Sequence, residues 1–129
     1  MIVGIGTYIC DARRIGELLE RHPERFRTKC FTAHERATCD ARSDPATCYA
    51  KRFAAKEAVA KALAGAETGA LPWHSVEVRN DGSGRPVAAL SGPALARAPG
   101  ARVHLSLSDD PPYAVAFAVV ETEASVEHP

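Results

Sequence analysis

The sequence has 129 residues, a one-domain length, and 46% of them are hydrophobic, enough for an ordinary core. Sixteen Lys and Arg balance sixteen Asp and Glu, so no global charge draws the chain to nucleic acid or to an anionic membrane. No apolar run approaches the roughly 20 residues of a membrane span, and the start, Met1-Ile2-Val3-Gly4-Ile5-Gly6, has neither a basic leader nor a cleavage-like site, so the expected compartment is the cytosol.

Residues 2–10 read as a strand, with Ile2, Val3, Ile5 and Ile9 supplying β-branched bulk. Asp11 is placed to cap a helix that runs through Arg21, and Pro23 closes it. Residues 24–39 form a second, weaker helical region, in which Thr32 and Glu35 make a capping-box pattern. Ser43, Asp44 and Pro45 mark a loop over residues 42–46. Residues 49–64 are the clearest helix: Ala-rich, free of Pro and Gly, and ended by Gly65 as a C-cap. After a connector over residues 66–72, strands at 76–79 and 86–90 flank Asn80-Asp81-Gly82-Ser83-Gly84. A short helical turn at 94–98 precedes a second hairpin, 102–108 and 114–121, over Asp109-Asp110-Pro111-Pro112. Residues 1–121 are thus expected to form one domain of α+β class, with a long central helix packed on an antiparallel sheet and a frayed tail over 122–129.

The four cysteines, Cys10, Cys30, Cys39 and Cys48, form no C-x-x-C pair, and Cys30, His34 and Cys39 fit no common zinc spacing. The expectation is four reduced thiols. Gly4-x-Gly6 is no dinucleotide loop, because it lacks the third glycine and lies inside a strand.

Chemistry concentrates on the long helix. Tyr49, Phe53, Ala60 and Ala64 form one apolar stripe, and Glu57 falls near its centre. A carboxylate there needs a partner. Lys61, one turn on, supplies one as a plain i, i+4 pair; a metal or phosphate is the alternative. Arg52, Lys56 and Lys61 either hold a polyanion such as a nucleotide diphosphate or form a solvated face. The strand at 102–108 alternates, with Val103, Leu105 and Leu107 on one face and His104, Ser106 and Ser108 on the other. That polar face suits either a polar ligand or solvent.

Together these segments resemble the holo-acyl carrier protein synthases, a family of phosphopantetheinyl transferases. The resemblance rests on Ile2-Val3-Gly4-Ile5-Gly6-Thr7, on Arg52-Phe53-Ala54-Ala55-Lys56-Glu57-Ala58-Val59-Ala60-Lys61-Ala62-Leu63, on Trp73, on Gly84-Arg85-Pro86, on Val103-His104-Leu105-Ser106-Leu107-Ser108 and on Ala114-Val115-Ala116-Phe117. It runs in order from Met1 to Glu121, and the central helix is its specific part.

The resemblance implies transfer of phosphopantetheine from coenzyme A to a serine of apo-acyl carrier protein, with Mg²⁺, in a homotrimer whose sites lie between subunits. It implies that Glu57 binds the metal and that Lys61 lies near the pyrophosphate. Arg52 would contact coenzyme A, as would Gly84, Arg85 and Pro86 from a neighbouring subunit. Lys56, His104, Ser106 and Ser108 complete the expected coenzyme A set. Arg14, Leu18 and Arg21, flanked by Arg13, form a basic helix face for the acidic carrier protein. Tyr8 stands where the family has a metal-binding aspartate, and Asp109 where many members have histidine. A coenzyme A- or carrier-binding homologue weakened in catalysis by Tyr8 is the second reading of the resemblance.

Overall fold

The computed structural model describes residues 1–64 and 70–123. The expected cap at Gly65, most of the 66–72 connector and the tail beyond residue 123 lie outside the described residues. Strand β1 (Ile2–Asp11) leads into helices α1 (Ala12–Arg21), α2 (Pro23–Cys30), α3 (Ala33–Asp40) and α4 (Pro45–Ala64). A 3-10 turn at Trp73–Ser75 precedes β2 (Val76–Asn80) and β3 (Pro86–Leu90), then α5 (Gly92–Arg97), β4 (Arg102–Asp110) and β5 (Tyr113–Glu121).

Local chemistry sets these boundaries. Asp11 accepts from the Arg13 N–H at 2.9 Å and caps α1. The expected 24–39 helix is two helices: Pro23 opens α2 at its first turn, and Thr32 and Glu35 form a complete capping box that starts α3 afresh. Helix α4 begins four residues before the expected start. Pro45 fits its first turn, and Asp44 accepts from Thr47 N at 3.2 Å and Thr47 Oγ1 at 2.6 Å.

Strands β1, β5 and β4 form one antiparallel sheet in that order; β2 and β3 form a second. Helix α4 packs on the inner face of the first sheet. There Ala114, Ala116, Ala118 and Val120 of β5 are buried, while Phe117 is 47% exposed. Strand β1 forms as expected, with its bulky residues turned away from α4. Val3, Ile5 and Ile9 stand on the open face, and Gly4, Gly6, Tyr8 and Cys10 turn inward. A Cβ on Gly4 would lie 1.7 Å from the Ala62 carbonyl oxygen, and one on Gly6 would lie 1.9 Å from that of Ala58. Backbone therefore meets backbone where β1 crosses α4.

The burial of α4 corrects the expected stripe. Tyr49 is fully buried, but Phe53, Glu57, Ala60 and Ala64 lie on its half-open side. Ala50, Ala54, Ala55, Ala58 and Val59 are buried because the sheet, α1, α3 and β2 surround the remaining sides. The cysteine expectation is corrected as well. Cys39 at the end of α3 and Cys48 in the first turns of α4 are joined in a disulfide, their Cα atoms 5.4 Å apart, because the short 41–44 turn folds one helix back on the other. Cys10 and Cys30 are free and buried. Thr122, assigned to the tail by sequence, exchanges backbone hydrogen bonds with Met1. Among the described residues, no helix is long and apolar enough to cross a membrane.

Candidate functional site

Glu57 sits on the half-open side of α4, where it lines a cavity of about 160 Å³ with Ala60, Leu71, Pro72 and Trp73. Phe53, one turn earlier, stacks on Trp73 with ring centres 4.9 Å apart. Burial against this apolar wall holds the Glu57 carboxyl above its ordinary pKa, and the charge of Lys61 pulls it partly back. Among the described residues no ion pair joins the two. Lys61 Nζ instead donates to the Thr7 carbonyl at 3.1 Å and lies over the ring of Tyr8.

Strand alternation turns Tyr8 toward α4, where its ring meets Phe53 edge-on at 6.1 Å. Burial, and next the negative charge of Glu57, raise the phenol's pKa above its ordinary value. The phenol therefore keeps its proton at neutral pH. Tyr8, Glu57 and Lys61 thus form one cluster across the β1–α4 contact.

The donor set bears on a metal ion. Among the described residues no three His, Cys, Asp or Glu side chains come together as a cage. Mg²⁺ commonly binds one or two carboxylates and completes its shell with water and substrate phosphates. Glu57 offers one carboxylate and Tyr8 one neutral oxygen. The set fits a magnesium ion shared with a phosphorylated substrate. Asp11 is committed elsewhere, as the α1 cap and the bidentate partner of Arg13.

A second cluster lies on another side of α4. Arg52, Asn80, Gly84 and Pro86 line a cavity of about 400 Å³, with Lys51 and Asp109 across it. Arg52 is only 5% exposed. Its Nη2 donates to Asn80 Oδ1 at 2.9 Å and its Nη1 to Cys48 Sγ at 3.3 Å, while its buried Nε has no partner among the described residues. Gly84 and Pro86, expected from a neighbouring subunit, share a wall with Arg52 of their own chain. Arg85 between them is exposed, its backbone N–H bonded to Asp81 Oδ1.

Lys56 corrects the sequence reading. It is 2% exposed, and its Nζ pairs with buried Glu35 at 2.8 Å and donates to the carbonyls of Trp73 and Val76. Three protein acceptors use its three donors, so it is not available to a polyanion. Glu35 was legible only as a capping residue; its second oxygen also accepts from Val78 N. The alternation in β4 is as expected: Val103, Leu105 and Leu107 pack on the core, and His104, Ser106 and Ser108 face outward. His104 Nε2 donates to Glu121 Oε1 at 2.9 Å.

On α1, Arg13, Arg14, Leu18 and Arg21 are exposed. Arg13 is held by Asp11, leaving Arg14, Leu18 and Arg21 as the outward set. Arg14 and Leu18 also line a small cavity that reaches Tyr8 and Phe53, so the basic face borders the Glu57 cluster.

The profile of the 4'-phosphopantetheinyl transferase superfamily matches residues 4–118. The holo-[acyl-carrier-protein] synthase of Methylobacterium radiotolerans is 49% identical over 128 residues, which cover 94% of each chain. The solved holo-[acyl-carrier-protein] synthase of Neisseria meningitidis superposes with a TM-score of 0.82 at 36% identity, over 95% of this chain and 100% of that one. That of Bacillus anthracis, in complex with CoA (3',5'-ADP), gives 0.78 at 34% identity, over 95% and 99%.

Proposed function

The chain belongs to the holo-acyl carrier protein synthase family of the 4'-phosphopantetheinyl transferase superfamily, and on that premise we propose how its residues divide the work. It transfers phosphopantetheine from coenzyme A to a serine of apo-acyl carrier protein. The serine oxygen attacks the pantetheine-side phosphorus of the pyrophosphate. The bond from that phosphorus to the bridging oxygen breaks, and adenosine 3',5'-bisphosphate leaves. The observation that carries the assignment of roles is the half-buried Glu57 carboxylate beside Lys61 on the family's most specific helix.

In this reading Glu57 takes the serine proton through a water, a role helped by its raised pKa. Lys61, fixed by the Thr7 carbonyl, offsets negative charge on the leaving phosphate. Arg52, with Gly84 and Pro86, binds the nucleotide end, and the carrier docks on Arg14, Leu18 and Arg21. Arg85, His104, Ser106 and Ser108 stay in the coenzyme A set as outward-facing groups. Glu57 would also hold Mg²⁺, which when bound neutralises pyrophosphate charge.

The Glu57 and Arg52 clusters line different cavities of one chain. A homotrimer that sets one cluster of each copy beside the other cluster of its neighbour makes a complete site. The open sheet face, with Ile5, Ile9 and Phe117 about half exposed or more, is the surface available for it. The cytoplasm is kept as the proposed compartment.

Mass spectrometry of apo-acyl carrier protein incubated with coenzyme A, Mg²⁺ and the protein tests the reaction. A gain of one phosphopantetheine is expected; an unchanged carrier mass under conditions where coenzyme A binds would reject it.

A further inference from the structure

The larger cavity carries an ion pair that the reaction as described does not use. Lys51 Nζ, on α4, lies 2.8 Å from Asp109 Oδ1, at the end of β4, and each side chain is about one-third exposed at 33% and 32%. Among the described residues, the cavity's cations are Arg42, Lys51 and Arg52, and its carboxylates are Asp44 and Asp109. Asp44 is spent on capping α4 through Thr47. Arg52 is buried, its Nε finds no partner among the described residues, and burial disfavours its charge; Glu35 opposes that effect and the positive charge of Arg42 adds to it. Such a cavity is short of negative charge. Asp109 is the carboxylate that supplies it.

We propose that Asp109 sets the charge specificity of this cavity, by competing with a phosphate monoester of the nucleotide substrate for the ammonium of Lys51. The inference rests on the proposed use of coenzyme A. An arriving phosphate dianion takes Lys51 from Asp109 and also meets Arg42 and Arg52. The carboxylate lowers affinity for every anion there, and lowers it most for the ligand with the most charge. The cavity therefore holds its nucleotide less tightly than its three cations allow, which favours release of a bisphosphate product. Asp109 is a positioning residue in this scheme, because it acts only through Lys51.

Calorimetric titration of the full chain with coenzyme A, adenosine 3',5'-bisphosphate and adenosine 5'-monophosphate tests this, with Asp109→Asn, Lys51→Met and the double variant. Asp109→Asn should bind the bisphosphate about three- to fivefold tighter, the scale of one partly exposed ion pair. The monophosphate should gain less, so the ratio of the two affinities rises. Lys51→Met should bind the bisphosphate more weakly, and Asp109→Asn should bring no gain in that background. Asp109→Ser, with circular dichroism on every variant, separates a charge effect from a folding effect. The proposal fails if coenzyme A binds but the affinity ratio is unmoved by Asp109→Asn, or if the gain persists without Lys51. A parent chain that binds no coenzyme A would sink the functional reading and this proposal together.

Discussion

The ammonium of Lys61 lies over the Tyr8 ring, 5.2 Å from its centre. The contact ties β1 to α4 beside Glu57; in the proposed function it would hold a cation near the pyrophosphate, while the phenol would offer a metal no anionic oxygen.

Tyr8→Asp should therefore strengthen the metal site. A carboxylate beside Glu57 adds a second anionic ligand, while the ring that crowds the position is removed. The transfer rate should rise and the Mg²⁺ midpoint should fall, by about tenfold or more. A Mg²⁺ titration of both proteins reads it. A midpoint and rate equal to the parent's would show that Tyr8 does not weaken the shell.

Glu57→Gln keeps the volume and removes the charge. We expect transfer to fall by about 10²–10⁴-fold, the usual range for a general base. Burial should make the Glu57 carboxyl titrate above an ordinary glutamate's range in the metal-free protein, and a bound Mg²⁺ would pull that acid limb of kcat/KM down, so the limb, where activity is gained as pH rises, should move with Mg²⁺ concentration. Lys61 opposes the effect of burial, so Lys61→Met should move the limb to still higher pH. A limb that stays in place would remove Glu57 as the titrating base.

Charge reversal at Arg14 or Arg21 should raise the KM for carrier protein about tenfold at low salt and leave that for coenzyme A unchanged, since both lie on the exposed face of α1. The effect should shrink as salt screens it. Steady-state kinetics at two ionic strengths would show it. Weakened coenzyme A binding with carrier affinity intact would displace the docking face.

Lys56→Met should destabilise the fold by about 3–5 kcal/mol, because it removes the cation paired with the fully buried Glu35. Adding Glu35→Gln, which removes the charge but keeps an amide oxygen for one of the Thr32 and Val78 N–H groups, should recover part of the loss. Urea unfolding of the single and double variants separates this structural role from ligand binding. A single variant as stable as the parent would contradict the pair.

Lys56 also shows where sequence reading reaches its limit. Its partner is 21 positions away on α3, and nothing in the local pattern of α4 distinguishes it from Lys51 or Lys61. Propensity and caps were legible: Asp11, the Thr32–Glu35 box and the β4 alternation stand as read. The inward side of α4 was not, because alanines occur all round it and only the packed sheet decides which are covered. The β-branched residues of β1 marked the strand but not its inward face. A strand's bulky face ordinarily turns to the core, but here the helix backbone takes that space. Glu57 and Lys61 stood out by their place on the helix, and the resemblance gave them a role; the Lys51–Asp109 pair, which spans α4 and β4, carried no sequence signal.

Phe117→Glu places a charge on the open face of β5 and should shift the protein from an assembly toward monomers, read by light scattering at micromolar concentration. Transfer should fall with it, since the proposed site needs two copies. A parent that is itself monomeric and active would overturn the trimer.

The contact of Gly4 and Gly6 with the Ala62 and Ala58 carbonyls has a mechanical consequence. Side chains at a helix–strand interface can change rotamer and let the two elements slide; bare backbone has no such compliance. Tyr8 and Glu57 are mounted on opposite sides of this rigid joint. Thermal motion that parted them would have to lift β1 from α4 along its length and disrupt the β1–β5 ladder with it. Their spacing should persist at temperatures where surface turns already fluctuate, and amide exchange along β1 should be governed by global unfolding rather than local opening.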